Sequence, residues 1–219
     1  MHVRVNAAMS VDGKLSTRRR EQLAISGPDD FERVEEVRES VDGILVGVGT
    51  VVADDPHLVL ERDRQRARRD RGEPPTPARI VADSLARMPP DARILDDAAP
   101  TYVLVGERAP TGRVSRLEKV GASVVRAGHS RVDLAEAFER LEADGIEELL
   151  VEGGGEIIFS AFDAGLVDEL SVYVGSTIVG GSDAPTLADG EGFVRDFPDL
   201  RLDDVERIDD GVLLSYSVE

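Results

Sequence analysis

The chain has no cysteine and no tryptophan, and only 4% of its 219 residues are aromatic. Without cysteine it has no disulfide, no thiolate nucleophile and no cysteine-ligated zinc or iron–sulfur cluster. Lysine is nearly missing too: Lys14 and Lys119 are the only two, and every other basic residue is arginine. Positive charge is scarce overall, 26 Lys+Arg against 44 Asp+Glu, a net charge of −18. That balance argues against electrostatic binding to nucleic acid or anionic membranes, since both need basic surface. No apolar run approaches the ~20 residues of a membrane span. The opening MHVRVNAAMS lacks the apolar centre of a signal peptide. A cytoplasmic protein with neither nucleic-acid nor membrane partners is expected.

A hydrophobic content of 41% is too high for a disordered acidic chain, so the excess acid belongs on a folded surface. An acid-rich, lysine-poor, aromatic-poor composition resembles proteins of salt-loaded archaeal cytoplasms, which points to a halophilic archaeon. At roughly 150 residues per domain, the length suits one large domain or two small ones.

Short β-branched runs alternate with helical patterns. Strands are expected at residues 2–8, 42–47, 78–83, 101–105, 122–126, 147–152 and 169–174. The spacing predicts a helix over Pro28–Ser40, with Ser26 as N-cap and Phe31, Val34 and Val37 on one side. Leu134–Ala143, started by Asp133 and stopped before Gly145, is a second helix, and a third follows the glycines at 153–155. Residues 202–208 and 211–218 read as a hairpin turning at Asp209-Asp210-Gly211. This pattern predicts an α/β fold: a mostly parallel central sheet, helices on both faces and an antiparallel C-terminal hairpin. Residues 61–77, rich in Arg, Asp and Pro, are expected to be an exposed polar loop within a single domain spanning 1–219.

Several constellations can carry chemistry. Gly153-Gly154-Gly155 stands between a buried strand and a helix, where free N–H groups and the helix dipole suit a phosphate. Three successive glycines exceed what a tight turn needs, and the pattern is not GxGxxG, which disfavours a Rossmann site. In GVGTVVADDP, residues 47–56, Thr50 can donate a hydroxyl, while Asp54 and Asp55 either make the turn before Pro56 or bond a ligand. In SVDGKL, residues 10–15, Lys14 is either a solvated loop lysine or a functional cation. GSTIVGG, residues 175–181, is either a ligand-facing loop or an interface strand. His2, His57 and His129 have no metal-ligand spacing, and no metal is expected.

In order and spacing, SVDGKL, ISGPDD, VDGILVGVGTVVADDPHL, ARIVADS, LLVEGGGEI, GLVDELSVYV and IVGGSDAPT resemble the stand-alone reductases of riboflavin biosynthesis. The resemblance covers nearly the whole chain. It implies a dihydrofolate reductase-like fold, a homodimer and NADPH- or NADH-dependent reduction of a pyrimidine ribosyl phosphate. That substrate is 2,5-diamino-6-ribosylamino-4(3H)-pyrimidinone 5′-phosphate, whose ribosyl group becomes ribityl by hydride delivery to C1′.

By position, the resemblance assigns Ala8, Thr50, Asp54, Val81, Asp83, Ser84, Gly153, Gly154, Gly155, Glu156 and Ile157 to the cofactor. It assigns Lys14, Arg38, Leu58, Arg62 and Glu152 to the substrate, with Lys14, Asp54 and Glu152 as catalytic. In three places the chain departs from the family. Glu61 stands where many relatives have a phosphate-binding Arg, so either Arg62 takes that role or the phosphate is held less tightly. Residues 62–77 run longer than usual, and Ala24 cannot stack on a cofactor as a bulkier residue would. The alternatives are a pterin or dihydrofolate reductase on the same fold, or a nucleotide-binding module without catalysis.

Overall fold

Nine strands, most of them built on buried Val, Ile and Leu, are joined by six α-helices and one 3-10 turn. A computed structural model describes all 219 residues. In chain order the elements are β1 (His2–Ser10), α1 (Pro28–Ser40), β2 (Gly43–Gly47), α2 (Val48–Asp54), α3 (Arg62–Asp70) and β3 (Ala78–Ala82). There follow β4 (Thr101–Val105), α4 (Thr111–Lys119), β5 (Ser123–Arg126), α5 (Leu134–Ala143) and β6 (Glu148–Val151). The chain ends with α6 (Gly155–Asp163), β7 (Glu169–Gly175), β8 (Leu200–Ile208) and β9 (Gly211–Val218). No helix is long and apolar enough to cross a membrane.

Residues group into two compact units, Val37–Leu150 with Met1, and His2–Glu36 with Val151–Glu219. In the first unit the strands lie in the order β5-β4-β3-β2-β6. The β2–β3, β3–β4 and β4–β5 pairs are all parallel. Parallel strands covered on both sides read as continuous apolar runs, and all five residues of β2 are buried. Its core joins Ile44, Val46, Val81, Val103, Val105 and Leu117, each stabilising by about 1.5–3 kcal/mol when fully buried. Gly43 is required by packing: a Cβ there would stand 2.8 Å from Ile80 Cδ1.

The stretch expected as an exposed loop at 61–77 is instead largely helix α3, and it has a core role. Its stripe is made of arginines. Arg64, Arg68 and Arg71 recur at i, i+4 and i+7, one face of a helix. Arg68 is buried and donates to the carbonyls of Glu39 at 2.5 Å, Val41 at 2.8 Å and Pro74 at 2.8 Å. Arg64 and Arg71 both reach the Glu39 carboxylate. The helix therefore fastens the C-terminal end of α1 with guanidinium groups, a pattern that a search for apolar periodicity passes over.

In the second unit β1 pairs in parallel with β7, which pairs antiparallel with β9, and β9 with β8. The expected hairpin is present, and its turn has a second use. Asp209, in the left-handed region at φ 52, points its carboxylate at the N-terminus of α1. It accepts from the N–H groups of Asp29 (3.4 Å) and Asp30 (3.1 Å). The cap is thus Asp209, from a distant hairpin, and not Ser26. Gly27 makes room for it, since a Cβ there would lie 2.5 Å from the Asp209 carboxyl carbon. On α1, Val34 and Val37 are half-buried but Phe31 is exposed. Spacings of three fall short of the 3.6-residue turn, so the outermost residue rotates off the buried side.

Truncating Arg68 would take a donor from three carbonyls, leaving Glu39 only a long bond from Arg71. Arg68→Ala is expected to lower unfolding stability by about 3 kcal/mol in urea titrations, as for a buried network losing one partner. Arg62→Ala, on the exposed side of the same helix, should change it by under about 0.5 kcal/mol.

Candidate active site

In the first unit, β2 delivers the chain to α2, whose N-cap Gly47 has no side-chain cap. Thr50 lies half-exposed in the first turn of α2, and the space above Gly49 is open. Asp54 ends the helix at the surface, yet surrounding protein desolvates its carboxyl and pushes its pKa above the usual aspartate value. The turn behind it is fixed from several sides. Asp55 takes the left-handed cap at φ 42, and its carboxylate accepts from the Arg93 N–H at 2.8 Å. Leu58, also left-handed at φ 49, is buried beneath the turn. Arg79, with no exposed surface, donates to the Asp96 carboxylate (2.7 Å), to the carbonyls of Asp96 and Ala99, and more distantly to that of His57. Burial alone would raise the Asp96 pKa, but hydrogen bonds from Arg79 and His57 hold it at about 2.

The pairing of Gly47 with Ala82 sets the start of α2 beside the segment that follows β3. That segment carries the residues expected on the adenosine side. Val81 and Asp83 have no exposed surface. Asp83 is a turn-former: one oxygen accepts from Met88 N–H at 2.7 Å, the other from Arg87 at 3.3 Å. Ser84 is half-exposed, and its hydroxyl oxygen accepts from Val132 N–H. Arg38 is half-buried in the last turn of α1, and Arg62 is exposed as the first residue of α3. The Glu39–Arg64 bridge and the Arg68 clamp join the two helix ends that carry them.

In the second unit the loop after β1 is set by Asp12. Its carboxylate accepts from Ser10 Oγ at 2.6 Å, Val179 N–H at 3.0 Å and Gly180 N–H at 2.7 Å. These bonds, the one from Ser10 foremost, lower its pKa to about 2. They also give residues 175–181 a definite role, as the segment anchored to Asp12. Lys14 forms a β-bridge with Thr186 and donates its ammonium to the Ala184 carbonyl at 3.3 Å. The same 184–189 turn meets the glycine triplet. Asp189 N–H donates to the Gly155 carbonyl at 3.0 Å, and a Cβ on Gly155 would lie 2.3 Å from the Thr186 carbonyl oxygen. The structure therefore brings Lys14 and Gly153–Gly155 together on one turn, itself tied by Thr186 to Asp189. This turn overlaps the IVGGSDAPT segment. The only local signal was an Asp three residues after a Thr.

Gly153 and Gly154 take φ 147 and 86, conformations an L side chain rarely adopts, and nothing lies within 4 Å of a Cβ added to Gly153. No side chain caps α6. An open, uncapped helix start with a glycine approach fits a phosphate of a dinucleotide, which would meet unpaired N–H groups and the positive end of the dipole. Glu156 is exposed and Ile157 half-buried on that first turn, with Glu152 half-buried just before the glycines. Ala8 is half-buried on β1 opposite Tyr173.

The family model described as the RibD C-terminal domain matches residues 1–214, which include all of these positions. The chain belongs to this family. It is 44% identical over 220 residues to the 2,5-diamino-6-ribosylamino-4(3H)-pyrimidinone 5′-phosphate reductase of Methanothermobacter thermautotrophicus, covering 100% of this chain and 98% of that one. To the reductase of the same name from Archaeoglobus fulgidus it is 43% identical over 211 residues, covering 96% of this chain and 94% of that one. Among solved structures, a pyrimidine reductase-like protein from Corynebacterium diphtheriae superposes with a TM-score of 0.84. That likeness covers 100% of this chain and 92% of the other at 20% identity, and shows the fold. Within this RibD-type fold, the Lys14 loop and the glycine turn are tied to residues 179–189 by hydrogen bonds between segments far apart in sequence.

Asp12 supplies a pH test of the Lys14 loop. Its folded-state pKa of about 2 lies below the unfolded value near 3.8. Its stabilising effect is therefore full above pH 3.8 and lost as pH falls through about 2. Asp12→Asn should lower the melting temperature by a constant amount between about pH 5 and 7. The gap to wild type should close in acid. A gap of equal size at every pH would show that the carboxylate charge is not what fixes the loop.

Proposed function

We propose that this chain reduces the ribosyl group of 2,5-diamino-6-ribosylamino-4(3H)-pyrimidinone 5′-phosphate to the ribityl group, in riboflavin biosynthesis. The observation that carries this reading is its end-to-end identity, above 40%, to two archaeal reductases of that name. The same likeness favours it over a pterin or folate reductase. A nicotinamide cofactor, when bound, supplies the hydride that adds to C1′ of the ring-opened imine.

The chain's residues bind, orient and handle the proton. Gly153–Gly155 and the first turn of α6, with Glu156 and Ile157, receive a cofactor phosphate. Thr50, Ala8 and Ser84 are further cofactor contacts. Arg38 and Arg62 take the substrate phosphate, a geometry guanidinium groups suit. Leu58 acts from beneath by fixing the turn. The adjacent nitrogen of the imine needs a proton as C1′ takes the hydride. Asp54, whose raised pKa keeps its proton to higher pH than a free aspartate, is suited to assist. Lys14, oriented by the Ala184 carbonyl, polarises the sugar, and Glu152 contacts the substrate.

We also read the chain as a cytoplasmic homodimer whose acid surplus suits a salt-rich interior. Support for the dimer comes from apolar side chains left in water on one unit: Ile178, Val194, Phe197, Leu202 and Val205 are all more than half exposed.

Two measurements test these readings. A folded aspartate with a raised pKa loses stability as pH rises through that value, so Asp54→Asn should match or exceed the wild-type melting temperature at neutral pH. Its turnover on the pyrimidine substrate should nevertheless drop at least about a hundredfold, the low end of what a lost acid–base group costs. Wild-type turnover in Asp54→Asn would remove that residue from the mechanism. Light scattering at micromolar protein should give twice the 23.7 kDa chain mass; a monomer there would refute the homodimer.

A further inference from the structure

In the second unit, the connection between β1 and α1 carries the run STRRREQ at residues 16–22. Arg18, Arg19 and Arg20 are all exposed, and none of their side chains forms an ion pair or a hydrogen bond. Other arginines of this unit are compensated: Arg4 meets Glu169, Arg33 meets Asp30 and Arg201 meets Asp203. Three uncompensated guanidinium groups in succession repel one another, and a bound anion relieves that repulsion.

A tight turn holds the three in place. Arg20 N–H donates to the Thr17 carbonyl at 2.8 Å, and Thr17 N–H to the Glu21 carbonyl at 3.2 Å. The Thr17 hydroxyl oxygen accepts from the N–H groups of Arg19 and Glu21, both at 3.2 Å. Arg20 takes φ 62, the left-handed region that glycine enters without strain, so charge stands where the backbone favours glycine. The turn is seated on the segment that holds Lys14. Leu15 N–H donates to the Pro185 carbonyl at 2.9 Å, next to the Lys14–Thr186 bridge. Arg18 Cβ lies 3.7 Å from the place of a Cβ added to Gly181, one residue past the Gly180 N–H that Asp12 fixes. Four residues of chain keep the Arg18 Cα within about 14 Å of the Lys14 Cα.

Charge and size select the ligand. A phosphomonoester carries about two negative charges and three acceptor oxygens, which forked guanidinium donors match. A nucleic acid would need basic groups along a longer track. Any small anion that approaches a chain of net charge −18 is repelled at most of its surface, so a cluster of positive charge decides where it lands.

We propose that Arg18, Arg19 and Arg20 form an outer phosphate station that captures the 5′-phosphate of the incoming pyrimidine substrate beside Lys14. This rests on the reductase reading above and adds to it how an acid-rich chain draws in an anionic substrate. The cofactor's phosphates and free inorganic phosphate share the same chemistry, and the experiment separates the three.

The test is steady-state turnover of the wild-type chain, Arg18→Gln/Arg19→Gln/Arg20→Gln and Arg20→Gly. Each is assayed with the substrate and with its dephosphorylated counterpart, at about 0.1 M and about 1 M KCl, between which the Debye length falls from ~10 to ~3 Å. At the lower salt the triple variant should raise KM for the phosphorylated substrate about tenfold, the low end of what focused charge contributes. Its kcat, its KM for the dephosphorylated substrate and its KM for the cofactor should stay at wild-type values, and the loss should shrink at the higher salt. Arg20→Gly, which relieves the left-handed arginine, should melt no lower than wild type and still raise the substrate KM. An unchanged KM in the triple variant overturns the station and leaves the reductase reading standing. So does a loss of equal size at both salts, or one shared by the dephosphorylated substrate, since neither comes from a charged contact with phosphate. A rise in the cofactor KM alone would give the arginines to the cofactor. Inhibition by inorganic phosphate that depends on the arginines, with no change in substrate KM, would make the turn a free-anion site; both results overturn the assignment. If the wild-type chain turns over neither form of the substrate, the reductase reading itself fails and takes the station with it.

Discussion

The first unit is organised around one buried guanidinium. Arg79 enters from β3 with no exposed surface; its two terminal nitrogens donate to the Asp96 carboxylate and to the Asp96 and Ala99 carbonyls just after the 3-10 turn, while its Nε has no partner. Removing a charge from water is expensive, and only good hydrogen-bond geometry offsets it. Asp96, whose carboxylate stays ionised far into acid, provides the counter-charge. His57 is tied to the same carboxylate, so the Asp54 turn and the 93–99 segment are fastened to β3 by one cluster. The position of Asp54 follows from that cluster and not from its own bonds.

Arginine does structural work throughout this chain that lysine usually shares elsewhere. With two lysines in the whole sequence, it is Arg68 that ties α3 to the end of α1 and Arg33 that bridges Asp30 and Asn6. A planar fork satisfies several carbonyls from fixed directions, which a flexible ammonium does poorly. Charge surplus and core construction are thus separate matters: the acids crowd the exterior, while a few guanidiniums brace the interior.

Much of this was legible in the residues. Helix α5 was readable to its ends, because Asp133 caps it by accepting from Glu136 N–H and Gly145 follows its last residue closely. Strand β4 and helix α1 were readable for similar reasons, since apolar runs and Pro28 mark them plainly. What escaped reading was long-range. The Asp209 cap of α1 comes from a hairpin 180 residues away in sequence, and no local pattern announces it. Helix α3 lacked an apolar stripe, and α4 went unremarked. At the site, the Gly153–Gly155 turn and Lys14 could be marked from composition, but that they share the 184–189 turn could not. Val81 and Asp83 lie buried, and matching a motif does not reveal which way a side chain faces.

The outer strand of the second unit has one more consequence. β8 is paired on one side only, and eight of its nine residues are exposed, so its far edge offers free backbone groups to any passing strand. Arg201, Asp203, Asp204, Glu206 and Arg207 crowd that edge with charge, and the ladder to β9 slips between Leu202 and Asp204. Charge and irregular register are the means by which natural sheets discourage uncontrolled growth. The strand therefore guards the molecule against fibrous assembly while its exposed apolar positions, Leu200, Leu202 and Val205, stay available to a partner that fits.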